Sequence, residues 1–241
     1  MTVLCFSLFG IGGLALSLIW FRCLNLFVKE GQARRQLARR SISWCFRVFM
    51  KTMKIVGIMD YRFINTDWLK NDRSCLVIAN HPSLIDYVML ASVMPDTDCL
   101  VKSALQQNFF VKGVIKAADY LINSQSEVLL PTCSERFSAG ETLILFPEGT
   151  RTVYGQPIKL QRGAANIAVR CQADIRLVTI SCTEQMLDKQ SPWYRIPKNK
   201  PVFHVCVRER INITDFLEKY DNKEPSLTAR QLNKYLLQQL S

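Results

Sequence analysis

Leu76-Val77-Ile78-Ala79-Asn80-His81-Pro82-Ser83-Leu84-Ile85-Asp86-Tyr87 is the stretch that decides the fold. Its first four residues form a short apolar run with the length and β-branched character of a buried strand. Residues 84–94 are apolar and helix-compatible, and Pro82 falls near the expected first helical turn, where its missing N–H would be an orphan in any case. His81 and Asp86 therefore sit at a strand-to-helix junction. On one regular helix they would point about 140° apart, so they can meet only if His81 precedes the helix and folds back over its first turns. In that arrangement the carboxylate accepts from one ring nitrogen and leaves the other as a proton acceptor, which is the wiring of a general base.

A second junction of the same kind lies downstream. The run Leu143-Ile144-Leu145 leads into Phe146-Pro147-Glu148-Gly149-Thr150-Arg151-Thr152. The chain has two histidines, His81 and His204, so acid–base work near neutral pH has few other candidates. His204 reads as a structural or exposed residue of an alternating strand over 202–207, in which Phe203, Val205 and Val207 share one face.

Composition narrows the classes further. With 241 residues and 49% apolar side chains the chain suits one domain plus an appendage. The nine cysteines are odd in number and their nearest spacing is eleven residues, so they propose neither a disulfide framework nor a zinc site, and they read as reduced. The net charge of +11 invites a nucleic-acid reading, but nine basic residues against one acid fall within 22–54. That cluster directly follows 1–21, which has no charged side chain. As a helix the uncharged run would reach roughly 32 Å, about one hydrocarbon core. A signal peptide would carry its charges before the apolar run. Here the basic flank follows, which keeps it on the cytoplasmic side. Residues 1–28 are therefore expected to be a membrane anchor that spans the bilayer, a helix lying in its surface or a buried core helix being the alternatives. Residues 29–54 are expected to form a basic amphipathic helix, with Leu37, Ile42, Cys45, Phe49 and Met53 on one face, that lies on the membrane surface with Trp44 and Phe46 reaching inward or docks on the core with its basic face solvated, the two halves being able to do one each.

Residues 55–241 then form the globular domain. Residues 55–75 suggest a short strand or loop entry with a turn at Asn71-Asp72, and 99–101 a strand ending in Lys102. Helices are expected over 104–118, from the capping box Ser124-Gln125-Ser126-Glu127 to Gly140, over 159–172, and over 226–240. Strands fall at 143–146 and 175–181. Alternating strands and helices predict an α/β domain with a largely parallel sheet flanked by helices, and active residues gather at strand ends in such folds. Arg151 and Lys102 are cations at predicted strand exits and Arg162 is a third candidate; a guanidinium binds phosphate as a fork. Gly149 permits close backbone approach, and its N–H could polarise a carbonyl. Glu148 either holds Arg151 or binds the acceptor, a plain salt bridge being the simplest reading. There is no Gly-x-Ser-x-Gly elbow, no phosphate loop and no metal cluster. A His-Asp base without a protein nucleophile favours direct attack of an acceptor hydroxyl on a thioester.

His81-Pro82-Ser83-Leu84-Ile85-Asp86 resembles the H-x-x-x-x-D block of the glycerolipid and lysophospholipid acyltransferases, and Phe146-Pro147-Glu148-Gly149-Thr150-Arg151 resembles their third block. The likeness runs from about residue 70 to 185 and includes Arg162-Gly163-Ala164. It implies a membrane-associated acyltransferase of the 1-acyl-glycerol-3-phosphate type. His81 and Asp86 would be its catalytic pair, and Glu148, Gly149, Thr150 and Arg151 would lie at the acceptor site. It implies an acyl-CoA or acyl-carrier-protein thioester as co-substrate, with no other cofactor and no metal, and a catalytic domain on the cytoplasmic face of the inner membrane. Two blocks depart from the pattern: Asn123 stands where an Arg usually grips the acceptor phosphate, and Thr179 where a Pro is usual. The N-terminal anchor and Trp193-Tyr194-Arg195-Ile196-Pro197 are also similar to a branch associated with bacterial aryl-polyene lipid assembly. Three alternatives remain: a lyso-amino-lipid or specialised glycolipid acceptor, a membrane scaffold that no longer turns over, and a nucleic-acid binder, which the placement of the basic residues disfavours.

Overall fold

The structure, a computed structural model, describes residues 2–108, 111–123, 126–195, 197–220 and 224–241. The chain begins with helix α1 (Thr2–Ala15), which continues through a π-helical turn (Leu16–Trp20) into α2 (Phe21–Phe27), and then turns into the long α3 (Gln32–Ile55). There follow β1 (Asp60–Ile64), α4 (Asp67–Asn71), β2 (Cys75–Ala79), α5 (Asp86–Val93) and β3 (Asp98–Lys102). After a 3-10 turn (Ser103–Gln107) come α6 (Lys112–Ala118), β4 (Leu121–Asn123), α7 (Ser126–Ser138), β5 (Leu143–Leu145) and α8 (Gly163–Arg170). The chain ends with β6 (Asp174–Cys182), β7 (Val202–Ile211), α9 (Ile213–Tyr220) and α10 (Pro225–Leu240).

The described strands form one sheet in the order β1-β7-β6-β2-β5-β3-β4. All neighbours are parallel except β6 and β7. β2 is central and wholly buried, as a strand covered on both faces must be to read as an unbroken apolar run. Its side chains alternate between two cores. Val77 and Ala79 join Phe49, Met50 and Met53 of α3 and Met89 and Leu90 of α5, whereas Leu76 and Ile78 join Leu232 and Leu236 of α10 and Ala165 and Ala168 of α8. The α/β class and the largely parallel sheet stand as expected. α10 also presents Leu232, Leu236 and Leu240 inward.

Register places the functional junctions. Leu76, Val77 and Ile78 pair with Leu143, Ile144 and Leu145, so the chain leaves both strands at the same end. Three residues beyond this pairing lie His81 and Glu148.

Several local expectations change. The helix after His81 starts at Asp86, not Leu84, because the Asp86 carboxylate accepts the Ser83 N–H and hydroxyl and so holds residues 83–85 in a turn. Pro82 precedes that turn. Residues 55–75 contain a helix, α4, as well as a strand, and the 104–118 helix is confined to α6 after the 3-10 turn. Helix α9 was not anticipated. Ser124 and Gln125 of the capping box and Ile196 lie outside the described residues, while Gly140 closes α7 at φ +80°.

The basic helix α3 is no uniformly solvated surface. Arg39 is buried and meets Asp98 at 2.9 Å and Glu141 at 2.5 Å, and Arg136 reaches Glu141 at 3.2 Å and Asp119 at 2.5 Å. Burial pushes Asp98 up to about 6 despite its two arginines. Phe46 packs inward on Tyr87 and Phe9, while Trp44 is 62% exposed. Both ends of the N-terminal helix also rest on the domain. Phe9 packs at a tilt on Phe49, ring centroids 4.4 Å apart, and Phe21 and Leu24 are buried with Ile42 and Ile115. At Gly113 of α6 a Cβ would lie 2.7 Å from the Ser17 side chain. Only glycine permits that approach.

Candidate active site

The end of β2 is clamped before it turns. Asn80 accepts the Ile180 N–H at 2.6 Å and donates to the Ile180 carbonyl at 2.8 Å, which fixes the chain against β6. His81 then folds back so that Nδ1 lies 2.8 Å from Asp86 Oδ2. The fold-back required by the five-residue spacing is present. Asp86 is fully buried and also receives the Ser83 N–H at 2.7 Å and the Ser83 hydroxyl. Burial pushes its carboxyl up, against the pull of His81 and Ser83. A carboxylate with these partners accepts, so Nδ1 carries the ring proton and Nε2 is the open acceptor. The ring is 21% exposed and stacks on Phe146 at 4.4 Å between centroids.

Glu148 is the other support of this histidine. Its Oε1 accepts the His81 backbone N–H at 2.6 Å, and its Oε2 accepts the Thr152 hydroxyl. The Thr152 N–H returns to the His81 carbonyl at 2.9 Å. Glu148 thus neither pairs with Arg151 nor opens to solvent. It is 6% exposed, and burial drives its carboxyl up to about 7, against the His81 N–H and the nearby imidazole and with the push of Asp86.

Arg151 is tethered as well, because Nη1 donates to the carbonyls of Leu187 at 3.1 Å and Asp188 at 2.8 Å. Gly149 takes φ +68°, but its N–H donates to Phe146 at 3.1 Å. That bond closes the turn and spends the donor expected to polarise a carbonyl.

His81 opens into a cavity of about 750 Å³. Lys102, Asn123, Gly149, Thr150 and Arg151 line it, and so does Arg170 from the end of α8. Arg162 is exposed and outside that lining. Arg170 was missed because a basic residue at a helix C-terminus reads first as a partner of the helix dipole. Ser83 and Asn80 were missed because short polar residues beside a strand end read as turn formers.

Next to this cavity is a second, almost wholly apolar one of about 560 Å³. It lies between the N-terminal helix, α3 and α6, and Gly10, Gly12, Gly13, Phe46 and Ile115 contribute to its wall. Tyr87, Val101 and Leu105 line both cavities. The Tyr87 hydroxyl donates to Tyr120 at 2.6 Å. No group of three or more His, Cys, Asp or Glu side chains positioned for a metal occurs among the described residues.

A family model described as Acyltransferase matches residues 60–183, more than half of the 241-residue chain. The chain is 25% identical over 171 residues to the 1-acyl-sn-glycerol-3-phosphate acyltransferase of Helicobacter pylori, covering 68% of this chain and 65% of the relative. It is 26% identical over 145 residues to human 1-acyl-sn-glycerol-3-phosphate acyltransferase beta, covering 55% and 50% of the two chains. The chain thus spans between half and two thirds of these relatives' lengths. The crystal structure of the 1-acyl-sn-glycerophosphate (LPA) acyltransferase PlsC from Thermotoga maritima shares the fold, with a TM-score of 0.71, 18% identity, and 99% of this chain and 95% of that one covered. The matched segment takes in both strand-end junctions, and on that ground the chain belongs to the Acyltransferase family.

Proposed function

We propose that this protein is a membrane-associated O-acyltransferase that moves a fatty acyl group from a thioester to a lysophospholipid or lysophosphatidate hydroxyl. The observation that carries the reading is the His81–Asp86 contact at 2.8 Å, made at the mouth of a cation-lined cavity that adjoins an apolar one. His81 Nε2 removes the acceptor's hydroxyl proton as the oxygen attacks the thioester carbon. Asp86 stabilises the imidazolium, the tetrahedral adduct collapses, and the carbon–sulfur bond breaks. The imidazolium then returns its proton to the departing thiolate. No group on the enzyme is acylated.

The cavities divide the substrates. Lys102, Arg151 and Arg170 offer an anionic headgroup three cations, and the apolar cavity suits a hydrocarbon chain. Glu148 acts through His81 and is a positioning residue. The donor is acyl-CoA or acyl carrier protein. A lyso-amino-lipid acceptor is the second reading, favoured by Asn123, which puts an amide on the cavity wall where the family carries a cation.

Membrane association is supported by Leu4, Leu8, Ile11, Leu18 and Ile19 of the N-terminal helix, all exposed. Because both ends of that helix rest on the catalytic domain, we infer that it lies within one leaflet instead of crossing the bilayer. The basic α3 beside it favours the cytoplasmic leaflet.

An acceptor panel tests the reading. Purified protein is given acyl-CoA or acyl-acyl-carrier-protein with lysophosphatidate, lysophospholipids and lyso-amino-lipids, and products are identified by mass spectrometry. Acylation of none of them rules it out.

A further inference from the structure

The segment between β6 and β7 has a composition that the chemistry at His81 does not use. Trp193 and Tyr194 are 43% and 58% exposed, their rings packed edge to face at 5.7 Å. Trp193 also packs edge to face on Phe6 of the N-terminal helix at 5.8 Å. The two aromatic side chains thus continue the apolar surface of that helix on the catalytic domain. Around them Lys189, Arg195 and Lys198 are exposed, and no acidic residue occurs between Asp188 and Glu209.

Indole and phenol rings concentrate where a bilayer meets water, because the ring is apolar and its N–H or O–H is not. Lysine and arginine beside such rings favour an anionic headgroup layer. The root of the segment, by contrast, is rigid. Asp188 accepts the Ser191 N–H at 2.6 Å. The Leu187 carbonyl accepts the Leu84 N–H at 2.8 Å and, with Asp188, the Arg151 guanidinium. The start of the segment is therefore bonded to the two loops that build the site, and Trp193 in its middle touches the apolar helix.

We propose that residues 189–195 and 197–200 form a second bilayer contact, in which Trp193 and Tyr194 enter the headgroup layer of an anionic membrane and seat the mouth of the His81 cavity at its surface. The proposal rests on the membrane reading of the N-terminal helix, and its occupant is lipid because the exposed rings adjoin that helix and the charged side chains within the segment are all basic. A partner protein or a second copy of the chain would instead cover the same rings with polypeptide.

The test uses the full chain reconstituted into phosphatidylethanolamine–phosphatidylglycerol vesicles with brominated acyl chains, which quench tryptophan on contact. Three versions each keep one tryptophan, Trp193, Trp20 or Trp68, the other three being replaced by Phe. Trp193 should lose emission to the same extent as Trp20, while Trp68, which stacks over Arg176, should keep it. Trp193 unquenched beside a quenched Trp20 overturns the proposal, whether the ring faces water or another polypeptide. Trp20 unquenched would instead overturn the reading of the N-terminal helix. If the triple replacements do not fold, Trp193→Phe on the wild-type background reads the same quantity by difference. The quenched fraction should fall, and an unchanged fraction overturns the proposal.

Discussion

The carboxylate of Glu148 accepts the backbone N–H of His81 at 2.6 Å across 67 residues of sequence. It therefore sets where the imidazole stands without touching the reacting atoms. Glu148→Ala removes this bond and frees Thr152, so kcat should fall by about 100-fold, the cost of an ångström-scale misplacement. Glu148→Gln keeps an oxygen for the N–H and an amide donor for the Thr152 hydroxyl and should stay within about tenfold of wild type. Steady-state kinetics of the two variants checks this.

The same residue gives a pH dependence of stability. Glutamate in an unfolded chain titrates near 4.3, whereas burial raises Glu148 to about 7 in the fold. Between those values the native state holds a proton that the unfolded state has released. Its contribution is full below the unfolded value and is lost as pH rises through the folded one, by up to about 4 kcal/mol. Thermal midpoints in detergent micelles at about pH 5 and about pH 8 should show a larger drop in wild type than in Glu148→Gln.

Arg39 joins α3 to β3 and to the segment just after α7 through Asp98 and Glu141. Arg39→Leu leaves two buried carboxylates without their main partner and should cost about 3–5 kcal/mol. The readout is a lowered thermal midpoint. An exposed charge such as Lys70, paired with Asp67 three residues earlier, should cost less than about 1 kcal/mol when replaced by Leu.

Gly12 borders the apolar cavity, and a Cβ added there meets nothing within 4 Å. Gly12→Leu should therefore fold and shift the preferred acyl donor to a shorter chain, each methylene that no longer fits costing about 0.8 kcal/mol of binding. Competition between acyl-CoA donors of different lengths reads the shift.

These expectations depend on features that were unequally legible in the sequence. β2 could be read because a central strand is apolar without interruption, and the His81–Asp86 contact because a spacing of five permits one geometry. The neighbourhood of β2 and β5 could not be read, since β3 and β4 separate them in the chain and the sheet order is not sequential. That pairing is what brings Glu148 to His81. Arg39 looked like one more charge on a basic face, because the carboxylates that bury it come from β3 and from the segment just after α7. Thr150 and Arg151 line the cavity, but the tether from Arg151 to Leu187 and Asp188 depends on a loop with no regular pattern.

Thiol release from an acyl thioester in the presence of lysophosphatidate, compared between wild type and His81→Ala at equal thermal stability, tests the central claim most directly. Loss of a positioned general base should slow release by about 10²–10⁴-fold. Release at the wild-type rate in His81→Ala would show that the imidazole does not take the acceptor's proton.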